Sequence, residues 1–198
     1  MVTGALGTLD RRAVVARLLR NRDGWLVVTG LGSPSYDVHA AGDHDGNFYL
    51  WGAMGAAALV GLGLAQAQPD RKVLALTGDG EQLMGLGGLA TIAIAAPKNL
   101  VVVVLDNGHY AETGMQASHT GLGLDLASIA RACGFAEAAA VIDEAGVESL
   151  ARTIAEPASG PRLFVVRIKP ENPPRSLPPR DGVYLKNRLR GHLGLPVS

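Results

Sequence analysis

Largely apolar runs punctuate the chain at residues 25–28, 73–77, 100–105 and 163–168, with a looser one at 135–141. Their length and their Val, Leu, Ile and Phe content fit strands buried on both faces. Between them, apolar residues recur at helical spacing. Val14, Val15, Leu18 and Leu19 share one face of residues 11–20, with Asp10 placed to cap that helix and its basic residues expected to face solvent. Residues 46–69 read as a strand, a turn and a Gly/Ala-rich helix ending near Gln68. Asp125 precedes a helix through Ala132, and Val147, Leu150 and Ile154 line one face of residues 144–155. Strand and helix patterns alternate, which defines an α/β fold: three layers around a mostly parallel sheet of about six strands. Five prolines from Pro170 to Pro179 make an extended linker, so the domain is read as 1–169 and the remainder, 170–198, as linker and tail. Tyr184, Leu185 and Leu189 give the tail a short helical pattern, either solvated or docked on a partner.

Charge narrows the possible partners. Eighteen basic and eighteen acidic residues balance, without a long run of Lys or Arg, so neither nucleic acid nor an anionic membrane is an expected partner. Residues 46–69 carry no charge, but Asn47, Gln66, Gln68 and many small residues suit a soluble core better than a bilayer. Cys133 is the single cysteine, which excludes an internal disulfide or a self-contained cysteine-ligated cluster. Residues 1–9 lack a secretory pattern, and a cytoplasmic location is the default expectation.

The stretch 78–107 carries the chemistry. A strand run delivers Gly78-Asp79-Gly80, a helical segment follows, and a second strand run delivers Asp106-Asn107-Gly108. In a right-handed βαβ unit both turns lie at the carboxyl edge of the sheet, where open α/β sheets bind ligands. Asp79 and Asn107 are therefore expected close together as hard oxygen donors for Mg2+. Gly80 opens a helix whose first N–H groups suit a phosphate. Glu81, next to that phosphate site, is expected to point away or to meet a partner chain. The turn Thr29-Gly30-Leu31-Gly32-Ser33-Pro34-Ser35 follows a strand and offers hydroxyls to diphosphate oxygens. It also half-matches a dinucleotide fingerprint, which keeps an NAD-binding oxidoreductase open. The polar loop 109–121 holds His109, Glu112 and His119 as candidate proton-transfer groups.

The spacing of Gly78-Asp79-Gly80 from Asn107, twenty-six residues apart, resembles the thiamin diphosphate motif. Residues 47–55 and the Thr113-Gly114-Met115-Gln116 run are similar to segments of small 2-oxo acid decarboxylases, nearest the sulfopyruvate and phosphonopyruvate decarboxylases. The resemblance covers about residues 25–170 and implies that Asp79, Asn107 and the His109 carbonyl bind magnesium. It implies that the Gly52 carbonyl and Met54 N–H hold the cofactor's pyrimidine and that the Met54 side chain wedges beneath the bent cofactor. It further implies decarboxylation of a 2-oxo acid, with the activating glutamate supplied by a separate pyrimidine-binding chain in a hetero-oligomer holding more than one copy of each. A carboligase subunit and a non-catalytic assembly subunit remain open beside it.

Overall fold

The computed structural model describes residues 7–197. Helix α1 (Arg11–Leu19) starts where the Asp10 carboxylate accepts the Ala13 N–H at 2.8 Å. The chain then builds β1 (Leu26–Thr29), α2 (Ser33–Ala40), β2 (Asn47–Tyr49), α3 (Ala57–Ala67) and β3 (Val73–Gly78). Next come α4 (Asp79–Met84), α5 (Gly88–Ala95) and β4 (Leu100–Asp106). A small antiparallel hairpin, β5 (His109–Tyr110) and β6 (Gln116–Ala117), projects from the end of β4. Helix α6 (Leu126–Cys133), β7 (Glu137–Val141), α7 (Glu144–Thr153), β8 (Arg162–Arg167) and α8 (Gly182–His192) complete it.

The main sheet has six strands in the order β2-β1-β3-β4-β8-β7, all parallel. Burial on both faces follows the two-residue period of the strands. Leu74, Leu76, Val101 and Val103 turn toward α1, α2 and α7, while Val73, Ala75, Val102 and Val104 turn toward α3, α5 and α6. The expected three-layer α/β architecture is the one observed. Among the described residues no helix is long and apolar enough to cross a membrane.

Three local expectations are corrected. Arg11 and Arg12 do not simply face solvent: both converge on the fully buried carboxylate of Asp37, at 3.1 and 3.4 Å. The helix after Gly80 is broken at Gly85, because that backbone presses on Gly55. A Cβ built on Gly85 would sit 2.1 Å from the Gly55 carbonyl oxygen. The tail is not simply solvated but packs on its own domain: Leu185 is buried in the core, and Arg188 reaches Asp43 at 2.7 Å and the Asn47 carbonyl at 2.9 Å. The proline stretch that leads there is strapped to the domain. Ser176 bonds His39 (2.8 Å), the Pro179 carbonyl accepts the Trp51 indole N–H (3.0 Å), and the Pro174 carbonyl accepts from Arg12.

Candidate functional site

Strand order decides where the groove forms. From β1 the chain runs outward to β2 and then returns to add β3 on the other side, so the loops leaving β1 and β3 diverge at the carboxyl edge. A crevice at such a divergence is the usual ligand position in open parallel sheets. Here it is a cavity of about 150 Å³. The turn after β1 contributes Leu31, Ser33 and Pro34; the loop after β2 contributes Met54; β3 and α4 contribute Gly78, Gly80 and Glu81. Asn107, His109, Tyr110 and Glu112 close it from the β4 side.

Register brings the two motif turns together. Gly78 pairs with Leu105, so Asp79 leaves β3 level with Asp106 and next to Asn107. Two hydroxyls join the carboxylates. Ser118 donates to Asp79, and Thr120 lies 3.0 Å from Asp79 and 2.8 Å from Asp106. Asp106 is balanced by Arg167 at 2.7 Å. Burial, with the nearby Asp106 charge added, raises the Asp79 pKa above its ordinary value, while the hydroxyls act the other way. Asn107 Oδ1 accepts the His109 N–H (2.9 Å), and His109 Nδ1 donates to the Asn107 carbonyl (2.8 Å). That bond leaves His109 Nε2 as the nitrogen with a free lone pair.

Glu81 is buried inside the fold rather than turned to solvent or toward another chain. Its carboxylate accepts the Ala57 N–H at 3.1 Å, the Gly55 N–H and the Thr77 hydroxyl. It also fills the space a Cβ on Gly30 would need, 1.8 Å from Glu81 Oε2. One side chain thereby fastens the loops after β1, β2 and β3 to each other. Glycine is required nearby at Gly80, where a Cβ would lie 2.5 Å from the Tyr110 ring. Gly52, at φ +69°, has open space in front of it. Met54 stands on the groove wall, 38% exposed.

Several sequence-level candidates lie elsewhere. Thr29 and Ser35 are fully buried; their hydroxyls meet at 2.6 Å, and Ser35 donates to the Gly30 carbonyl at 2.8 Å. Both hydroxyls are spent inside the turn, and of its hydroxyl groups only that of Ser33 borders the groove. His119 is exposed and outside the groove, while its neighbours Ser118 and Thr120 point inward to the carboxylates. Glu112 lines the groove but is held by Arg175 at 2.8 Å. Sequence reasoning missed Arg11, Tyr110, Asp106, Ser118 and Thr120. Asp106 and Tyr110 flank named motif residues; Arg11 lies far away in sequence and carries no local signal.

This sheet, with its acidic turn and Asn turn joined at one edge, defines a cofactor-binding domain of the thiamin enzymes. The chain belongs to that family: the model of the thiamine pyrophosphate enzyme C-terminal TPP-binding domain matches residues 36–168. It is 44% identical over 109 residues to the sulfopyruvate decarboxylase subunit beta of Methanocaldococcus jannaschii, covering 55% of this chain and 57% of that protein. To the phosphonopyruvate decarboxylase of Streptomyces viridochromogenes it is 42% identical over 164 residues, covering 81% of this chain and 40% of that one. The chain thus spans less than two thirds of either relative. A solved 4-hydroxybenzoylformate decarboxylase, thiamine diphosphate-dependent, from Rhodococcus jostii RHA1 shares the fold, with a TM-score of 0.68 at 23% identity, covering 86% of this chain and 34% of that one.

Proposed function

We propose that this chain is the diphosphate-binding, beta-type subunit of a thiamin diphosphate- and Mg2+-dependent decarboxylase of a small 2-oxo acid. The observation that supports the reading is the strand register that sets Asp79 level with the Asp106-Asn107 turn, beside a groove that Met54 borders. A carboxylate and an amide oxygen, backed by oriented hydroxyls, are the donor types magnesium takes. Asp79, Asn107 and the His109 carbonyl would hold the metal. Ser33, Gly78 and Gly80 would border the diphosphate, and Gly52 and Met54 would receive the pyrimidine end; Gly30 faces the Glu81 carboxylate instead. Bound thiamin diphosphate would supply the electron sink through which a 2-oxo acid loses carbon dioxide. The chain's own part is to fix that cofactor, exclude water and present His109 Nε2 to the substrate.

The partner follows from where carboxylates stand. Asp79 is committed to metal, Glu81 to the loops and Glu112 to Arg175, so the glutamate that activates the cofactor would come from a pyrimidine-binding subunit. The name of the Methanocaldococcus jannaschii relative, a subunit beta, supports this division. An NAD-binding reading loses its hydroxyls to the interior of the Thr29–Ser35 turn. Titration calorimetry with Mg2+ and thiamin diphosphate, on this chain with and without the partner, tests the proposal. The pair should bind and decarboxylate, whereas the chain alone should bind weakly and turn over nothing. Asp79→Ala should abolish most Mg2+-dependent affinity, and Asn107→Ala should weaken it less, losing a neutral donor. Equal affinity in Asp79→Ala and the parent would sink the metal assignment, and absent binding by the pair would leave an assembly subunit.

A further inference from the structure

Arg11 begins α1, far in sequence from every motif, yet its side chain forms part of the groove wall beside Leu105, Asn107 and Ile168. It is only 4% exposed. One edge of its guanidinium is held: Nε faces the Asp37 carboxylate at 3.1 Å, and Arg12 flanks the same carboxylate at 3.4 Å. The other edge is open. Among the described residues no hydrogen bond engages the two terminal nitrogens of Arg11, and they are not among the enclosed nitrogens. The carboxylates on the groove wall are already occupied, Glu81 by Ala57 and Thr77, and Glu112 by Arg175. Arg11 is therefore a largely desolvated cation aimed at the groove, with its planar fork unfilled. Taking such a group out of water is costly unless an opposite charge meets it.

We propose that Arg11 is an oxyanion seat, whose two terminal nitrogens take two oxygens of a phosphate- or sulfonate-type group bound in the groove. Paired N–H donors in one plane match that chemistry, and the Asp37 charge stands beside the opposite edge of the guanidinium. The proposal rests on the cofactor reading given above and deepens it, because it gives this chain, and not the partner, a part in recognising an acidic group. The same fork serves a diphosphate oxygen of the cofactor or the acidic tail of a substrate.

The test separates those sources and uses binding rather than turnover. The full chain, alone and with its pyrimidine-binding partner, is titrated calorimetrically with magnesium pyrophosphate, with sulfoacetate and with magnesium thiamin diphosphate. Arg11→Gln would strand the buried Asp37 charge, so it is made in an Asp37→Asn background, with Asp37→Asn alone as reference and circular dichroism to verify folding. Asp37→Asn alone sets the affinity from which the loss is counted. Adding Arg11→Gln should weaken at least one anion about tenfold or more, as expected for a lost charge-assisted pair. Arg11→Lys should recover part of the loss, keeping charge but not the fork. A loss confined to pyrophosphate assigns the seat to the cofactor, and one confined to sulfoacetate assigns it to the substrate tail. A loss of both means one seat that either can fill. Unchanged affinity for both anions, or a parent that binds neither, overturns the seat. Failure of the parent pair to bind thiamin diphosphate, with pyrophosphate still sensitive to Arg11, overturns the cofactor reading alone.

Discussion

Glu81→Ala cuts the tie among the three groove loops, and its cost can be worked from the contacts. The carboxylate serves the Ala57 N–H, the Gly55 N–H and the Thr77 hydroxyl. Thr77 has the Gly78 carbonyl within 3.5 Å as a substitute acceptor, and half-buried Gly55 can turn to water. Ala57 is buried and has neither, so the unpaired-donor penalty of about 1–3 kcal/mol falls there. Taking about 2 kcal/mol, the melting temperature should drop by about 4–8 °C for a domain of this size. Glu81→Gln should lose less than half as much, since its carbonyl oxygen still accepts from Ala57 and its amide can donate to Thr77. A pH series adds a sign. Burial raises the Glu81 pKa above 4.5, so the folded chain binds this proton more tightly than the unfolded chain. That contribution to stability is complete below pH 4.5 and is lost as pH rises through the folded value. Glu81→Gln removes that component. Thermal melts followed by circular dichroism read both effects. A Glu81→Ala protein that melts with the parent would refute the tie.

Gly85→Ala drives a methyl to within 2.1 Å of a backbone oxygen, so it should cost about 1–3 kcal/mol by chemical denaturation, where Gly87→Ala, with nothing nearby, should cost far less. Asp37→Asn should flatten the stability profile between pH 3.8 and about 6. Burial raises that carboxyl to about 6 in the fold, so the parent loses stability as pH climbs through this window, by on the order of 3 kcal/mol. Met54→Ala should reduce turnover by the assembled pair more than cofactor affinity, while Met54→Leu, close in volume, should be nearly neutral; normal turnover by Met54→Ala would remove the wedge role.

What the sequence made legible was whatever local pattern controls. Apolar runs located the long strands, and the spacing of Asp79 and Asn107 placed two turns at one sheet edge, because parallel crossovers have one hand. The rest depends on contacts between distant segments. Nothing near Arg11 distinguishes it from Arg12 or Arg17, and only the packing of α1 on α2 and α7, with Leu9 bridged to Ile168, brings it to the groove. Thr29 and Ser35 looked available because hydroxyl-rich turns often bind phosphate; their mutual hydrogen bond is a property of how tightly this turn closes. The loop 109–121 showed its histidines plainly, and His109 does reach the groove, but around His119 it is the hydroxyls on either side that point inward. The basic residues of the tail suggested solvent, but Leu185 and Arg188 dock it to its own chain.

The placement of β8 carries a consequence for how the chain must assemble during synthesis. Strand β7 emerges first yet pairs only with β8, and β8 also completes β4. Until residues 162–167 have left the ribosome, β7 has no neighbour and Leu100–Asp106 offers one open edge of a nearly all-apolar strand. Such an edge is a template for pairing with other chains. The proline strap then has to carry the chain across the sheet before α8 can settle beside β2. Nascent chains halted just short of Arg162 should therefore aggregate or recruit chaperones, whereas chains released a few residues after Arg167 already hold every strand of the sheet.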